Sequence, residues 1–211
     1  MSKRRVLLLA RGYTVNVSDL REILQYVPLF RERIFVVAVD GDVAASENFP
    51  NLLLDIAVLR SLNIRVVLVH GASRQIQELA ASRGLAITNS DGIGITDEST
   101  LQVSIDAAIR LTNEIMEGLS SVDLRAAYIN ALIVHPAGIL GGVDQQFTGK
   151  VERVDTKALR LLLDEGIIPV VPPMGFDGEG RTYRVNSDSV ALEVAVELSA
   201  AKILYLSLIH I

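Results

Sequence analysis

The sequence predicts an α/β fold: a three-layer α/β/α sandwich with a mainly parallel sheet. Three observations carry that expectation. Residues 34–39 and 64–69 are β-branched runs that are apolar at consecutive positions, the pattern of strands covered on both faces. Helix-patterned stretches separate these and later runs, and the recurring order strand, helix, strand calls for crossover connections and parallel pairing. Finally, 211 residues that are 50% hydrophobic and only 21% charged bury about 70% of the surface that an unfolded chain exposes.

Taken in order, the elements follow from local pattern. Ser18 and Asp19 form an N-cap pair ahead of Leu20, Ile23, Leu24, Val27 and Phe30 (or Leu29), so an amphipathic helix is expected over residues 19–31, with Pro28 kinking or shortening its last turn. Strand 34–39, helix 49–62, strand 64–69 and helix 73–83 come next, and residues 85–87 read as a short strand. Asp97 caps a long helix running to about Leu119. Residues 126–130 and 131–135 read as short strands, 136–142 is turn-rich, and a β-ribbon is expected through 147–154. A helix over 156–164 leads to strand 167–171, stopped by Pro172 and Pro173. Residues 175–180 read as a turn, 187–198 as a helix and 203–206 as a strand. No internal repeat, low-complexity stretch or interdomain linker is visible.

Composition excludes several function classes. With 20 Lys+Arg against 25 Asp+Glu the formal charge is −5, without a basic block to mark a nucleic-acid or anionic-membrane surface. The absence of cysteine rules out disulfides, thiolate metal sites and cysteine nucleophiles. No apolar run approaches the ~20 residues of a membrane span. The expectation is a soluble, cytoplasmic protein with no nucleic acid, membrane or metal as partner.

In open α/β sheets ligands sit beyond the carboxyl ends of the strands, so three segments draw attention. Asp40-Gly41-Asp42 follows the first strand, His70-Gly71-Ala72-Ser73 follows the second, and Asn186-Ser187-Asp188 enters a helix. The second segment runs from a buried strand into a helix N-terminus, whose free N–H groups suit a carboxylate or phosphate. Short glycine turns also join strands to helices with no function, and His70 reads more readily as a hydrogen-bonded structural histidine than as a base. Asn186 and Asp188 suit a polar ligand or a plain helix cap. Asp40 and Asp42 read as turn formers rather than a metal pair. The ligand-binding candidates are thus Gly41, His70, Gly71, Ala72, Asn186 and Asp188.

Taken together, FVVAVDGD (35–42), NIRVVLVHGASRQI (63–76), DGIGITD (91–97), FTGKVERVD (147–155), GIIPVVPP (166–173) and YRVNSDSVA (183–191) resemble, in order and number, the amino-acid kinase family. Within it they are similar to the branch that holds the acetylglutamate kinases and N-acetylglutamate synthases of arginine biosynthesis. The resemblance runs from about residue 19 to 206 and implies the carbamate kinase-like fold, C-terminally truncated. It divides the chain into an N-terminal extension with its helix (1–32), the N-terminal part of a kinase-like domain (33–206) and an apolar ending (207–211) that reads as a non-native tail.

Departures from the kinase pattern carry the functional expectation. Where the kinases have Lys-x-Gly-Gly, this chain has Ala38-Val39-Asp40-Gly41, so the lysine that meets the transferring phosphoryl group is gone. A carboxylate at Asp40 repels phosphate, and losing one preorganised cation costs roughly 3 kcal/mol of transition-state stabilisation. Gly94 stands where the kinases place a carboxylate-clamping arginine, and Arg184 replaces the first Asn of an Asn-x-Asn-x-Asp signature whose Asn186 and Asp188 remain. Gly71 to Ile76, Asn48-Phe49 and the ribbon cations Lys150 and Arg153 are closer to the synthases, although such ribbon charges also read as ordinary solvated residues.

The resemblance therefore implies a kinase-like, arginine-sensing domain of an N-acetylglutamate synthase. In that implication L-arginine is the feedback inhibitor, and L-glutamate and acetyl-CoA are substrates of the parent enzyme. The piece itself holds no cofactor and no catalytic group, and the acetyltransferase domain is not part of it. It also implies a homo-oligomer built through the N-terminal helix. An acetylglutamate kinase fragment using ATP, and a non-enzymatic amino-acid-binding module, are the alternatives.

Overall fold

The computed structural model describes residues 27–207. The helix expected over 19–31 lies outside them except for its last turn, α1 (Val27–Phe30), which contains Pro28. Phe30 meets Phe35 edge-on, with ring centroids 5.4 Å apart, which ties this turn to the start of the first strand.

β1 (Ile34–Val39) is buried at all six positions, the consequence of its unbroken apolar run. It lies between β2 (Arg65–His70) and β11 (Lys202–Leu206), and with β8 (Ile168–Val171) and β3 (Ala126–Tyr128) these form a five-stranded sheet in the order β11-β1-β2-β8-β3. Every pairing in it is parallel. β2 starts and ends one residue later than expected, which puts His70 inside the strand.

Alternate residues of β1 and β2 feed two cores, as a pleat of period two requires. Val37, Val39, Val66 and Leu68 pack against Leu53 and Ile56 of α3 (Phe49–Ser61), Ile76 and Ala80 of α4 (Ser73–Ser82), and Leu111 and Ile115 of α5 (Glu98–Ser121). Ile34, Val36, Ala38, Val67 and Val69 face the other way, onto Leu159 and Leu163 of α6 (Thr156–Asp164) and Val190, Val194 and Leu198 of α7 (Ser187–Leu198). The sandwich is therefore three-layered, with a mainly parallel central sheet. A single turn, α2 (Gly41–Ala44), follows β1 directly.

On the α6/α7 side a second sheet of four strands runs in the order β10 (Thr182–Arg184), β9 (Met174–Phe176), β4 (Leu132–Pro136), β7 (Gly149–Val154). β4 (Leu132–Pro136) and β7 (Gly149–Val154) pair antiparallel around a bulge at Ile133/Val134, the expected ribbon. Between them β5 (Ile139–Leu140) and β6 (Val143–Asp144) make a two-residue hairpin inside the turn-rich segment.

Two expectations need correction. Residues 175–180 are not simply a turn: β9 (Met174–Phe176) and β10 (Thr182–Arg184) form an antiparallel hairpin around residues 177–181. Gly175 sits within β9 because space is short there, not because the backbone turns. A Cβ at this position would stand 2.4 Å from Val134 Cγ1 and 2.9 Å from the Leu132 carbonyl. Residues 85–87 are not a strand; the Leu85 N–H returns to the Ala80 carbonyl at 3.0 Å, and the Thr88 N–H bonds the Thr100 hydroxyl at 3.0 Å, so this segment satisfies its backbone on helices rather than on a sheet edge.

Candidate functional site

The carboxyl ends of β1, β2 and β11 and the N-terminus of α7 enclose a cavity of about 290 Å³. Its apolar floor is Ala38, Val39, Val69 and Leu206; its polar walls are Asp40, Ser73, Asp91, Asn186, Ser187 and Asp188, with Tyr205 beside them. Among the described residues no lysine or arginine lines it.

Asp40 caps α2, accepting the Gly41 N–H at 2.6 Å, and its own N–H bonds the Leu206 carbonyl at 3.0 Å. Burial, with some repulsion from Asp42 and Asp188, raises its carboxyl above the ordinary carboxylate range against the lowering effect of the Gly41 hydrogen bond. Burial and then Asp188 likewise raise the Tyr205 phenol, whose hydroxyl donates to the Asp188 carbonyl at 3.3 Å. The cavity thus has a negative environment, which disfavours a polyphosphate.

The glycines explain how the walls approach. A Cβ on Gly71 would stand 3.0 Å from Ser187 Oγ and 3.5 Å from Asp40 Oδ1, so the residue after β2 must be bare for α7 to enter beside β1. Gly41 packs under α4, where Gln75 Nε2 donates to the Gly41 carbonyl at 2.9 Å. Asn186 caps α7 by accepting the Ser189 N–H at 3.0 Å, and its amide also reaches out to the Asp91 carbonyl at 3.0 Å. One side chain serves as helix cap and as tie to the cavity wall.

Of the sequence candidates, Gly71, Asn186 and Asp188 line the cavity together with Ala38 and Asp40. Gly41, His70 and Ala72 do not. His70 is 0% exposed, with Nε2 2.9 Å from Thr112 Oγ1 and Nδ1 3.3 Å from the Gly71 carbonyl. Burial pushes its pKa from 6.5 down to about 4 against the raising effect of that carbonyl, so it is a neutral core histidine at neutral pH. Ala72 packs in the α3–α5 core and starts α4 by accepting the Ile76 N–H at 2.9 Å.

Gly94 stands away from the cavity at φ +99°, with open space where a side chain would be, and its carbonyl accepts the Thr148 hydroxyl. Arg184 is buried, and its guanidinium donates to Asn89 and Ser90. Lys150 and Arg153 are exposed on β7, outside the cavity lining.

Sequence reasoning did not single out Asp91, Ser73, Ser187 or Tyr205. Ser73 and Ser187 open helices directly after strand and loop ends, a position that could have flagged them. Asp91 and Tyr205 reach the cavity only through tertiary packing. Among the described residues no group of three or more His, Cys, Asp or Glu is placed to hold a metal, and no helix is long and apolar enough to cross a membrane.

Comparison with known proteins adds the following. The model of the amino acid kinase family matches residues 33–210. The amino-acid acetyltransferase of Pseudomonas fluorescens is 38% identical over 198 residues, which is 89% of this chain and 46% of that relative. That of Pseudomonas putida is 38% identical over 200 residues, with the same shares. Among solved structures, the N-acetylglutamate synthase of Neisseria gonorrhoeae complexed with coenzyme A and N-acetyl-glutamate superposes with a TM-score of 0.83 at 32% identity, over 92% of this chain and 46% of that one. The same enzyme complexed with coenzyme A and L-arginine gives a TM-score of 0.83 over 92% and 47%. The chain spans about half the length of the curated relatives it matches.

Proposed function

Since the chain belongs to the amino-acid kinase family, we propose that it is the kinase-like, arginine-sensing part of an N-acetylglutamate synthase, the enzyme that acetylates L-glutamate from acetyl-CoA. The observation that carries this reading is the cavity at Ala38–Gly41, the position to which the resemblance assigns phosphoryl transfer in the kinases. It is lined by Asp40, Asp91 and Asp188, with Ala38 of β1 at its floor and, among the described residues, no cation. Developing charge on a transferring phosphoryl group needs placed cations, and carboxylates at the same place raise its energy.

The relatives support the same direction. The chain is 38% identical to amino-acid acetyltransferases over 89% of its length, and a structure it superposes on holds coenzyme A and L-arginine. In this reading acetyl transfer belongs to the portion of such proteins that these residues do not match. There the unprotonated amine of glutamate attacks the thioester carbonyl, forming the amide and releasing the coenzyme A thiol. The N-terminal segment, with its apolar positions Leu20, Ile23 and Leu24, joins subunits into a homo-oligomer, and arginine acts through the kinase-like part.

The test is an assay of the full-length protein that carries this sequence. Glutamate-dependent thiol release from acetyl-CoA, suppressed by L-arginine, is the expected result. ATP-dependent phosphorylation of N-acetyl-L-glutamate would instead return the reading to a kinase with displaced catalytic groups.

A further inference from the structure

Arg184 ends β10 at 2% exposure, and none of the ion pairs among the described residues involves it. Its guanidinium spends its hydrogen bonds on one short segment. Nη1 donates to the carbonyl of Asn89 at 3.0 Å and to its side-chain Oδ1 at 2.9 Å, and Nη2 donates to the carbonyl of Ser90. A buried cation held by carbonyl dipoles alone is tolerated only when those dipoles are well placed. Burial lowers its pKa to about 10, partly offset by Asp91, so it stays charged at neutral pH.

The segment that receives these bonds is a strap, residues 89–95, and Asn89 closes it on itself. Asn89 Oδ1 accepts the Gly92 N–H at 2.9 Å, while Nδ2 donates to the Ile95 carbonyl. Asp91, next after Ser90, is the strap residue that lines the cavity. Gly92 lies so close to the chain at Val185 and Asn186 that a Cβ would be 3.0 Å from the Val185 carbonyl oxygen. The outer side of the strap is free: Ile93 is 66% exposed.

The two sides of this contact differ in secondary structure. Arg184 belongs to a hairpin, its N–H bonded to the Phe147 carbonyl at 2.9 Å, with Tyr183 and Val185 buried on either side. The strap has no regular secondary structure. We propose that Arg184 is a positioning residue that latches the strap as the movable wall of the cavity, so that breaking its bonds to Asn89 and Ser90 opens the site at Asp91 while the sheet and α7 stay folded. This holds whatever the cavity binds, so it stands or falls separately from the synthase reading.

The experiment is hydrogen–deuterium exchange on the 211-residue chain, comparing wild type with R184A and R184K. In R184A the strap amides exchange about tenfold faster or more, with α7 and β1 unchanged. R184K, which keeps the charge but loses the forked geometry, falls between. Millimolar methylguanidinium, entering the space left in R184A, restores slow exchange to the strap and leaves wild type unaffected. Because the chain has no cysteine, Ser187→Cys places one thiol in the cavity, and its labelling by a bulky maleimide accelerates when R184A is added. Strap exchange unchanged in R184A, or strap and core rising together without rescue, overturns the latch. If R184A does not fold, R184K carries the same test: its strap must loosen while α7 does not.

Discussion

Lowering the pH from about 7.5 to 5 is predicted to remove about 2 kcal/mol of stability through His70 alone. The ring lies fully inside the protein, and burial pushes its pKa from 6.5 to about 4. Its Nε2 lies 2.9 Å from the Thr112 hydroxyl and its Nδ1 3.3 Å from the Gly71 carbonyl, so the neutral ring has polar partners at both nitrogens. Above pH 6.5 the imidazole is neutral in folded and unfolded chains and contributes no pH dependence. Between 6.5 and about 4 the unfolded chain takes a proton that the folded one refuses, so stability falls as the pH falls. Below about 4 both forms are charged, and the loss levels off at about 3 kcal/mol.

The assay is urea unfolding followed by circular dichroism across this range, on wild type and on H70Q. Gln keeps an amide that can hydrogen-bond Thr112 in either direction and does not titrate. Asp40, raised by burial, is common to both proteins and cancels in the comparison. Wild type should lose about 2 kcal/mol more than H70Q between pH 7.5 and 5. Parallel losses in the two proteins would refute the burial argument and reopen His70 as an accessible group.

Gly175→Ala pushes a methyl group to within 2.4 Å of Val134 Cγ1 and 2.9 Å of a backbone carbonyl, which a paired strand cannot yield, so a destabilisation of about 2 kcal/mol is expected by thermal or urea unfolding. Asp97→Ala removes the side chain that accepts the Thr100 N–H at 2.7 Å at the start of α5 and should cost about 1 kcal/mol. Hydrogen bonds to Thr100 hold the Asp97 carboxyl below its ordinary range; the stabilisation is thus present above the ordinary aspartate pKa of 3.8 and fades as the pH falls through the lowered one, where wild type and variant converge.

What was legible in the chain depended on how local its cause was. β1 and β8 follow from apolar runs, and the caps Asp97 and Asn186 act within three residues of themselves. The β9–β10 hairpin was missed because Gly175 reads as a turn former when its use is close packing against Leu132 and Val134, contacts more than forty residues away in sequence. The cavity was half legible: strand ends located the segments of Asp40 and Gly71, and a helix entry located Asn186 and Asp188, whereas Asp91 arrives through Arg184 and Asn186, and Tyr205 through the register Ala38↔Tyr205. His70 lies at the right place in sequence but faces the core, since a strand residue's side chain faces one side or the other by parity that the motif alone does not reveal, and Ala72, at the start of α4, packs into the same core.

The central claim is that a kinase-like fold whose phosphoryl position is lined by carboxylates acts as a sensor rather than a kinase. It is tested most directly by supplying the full-length protein carrying this sequence with glutamate and acetyl-CoA, following thiol release, and titrating L-arginine, with a parallel arm of ATP and N-acetyl-L-glutamate. The prediction is acetyl transfer that declines with arginine and no acyl phosphate. Acyl phosphate formation, or acetyl transfer indifferent to arginine, would contradict it.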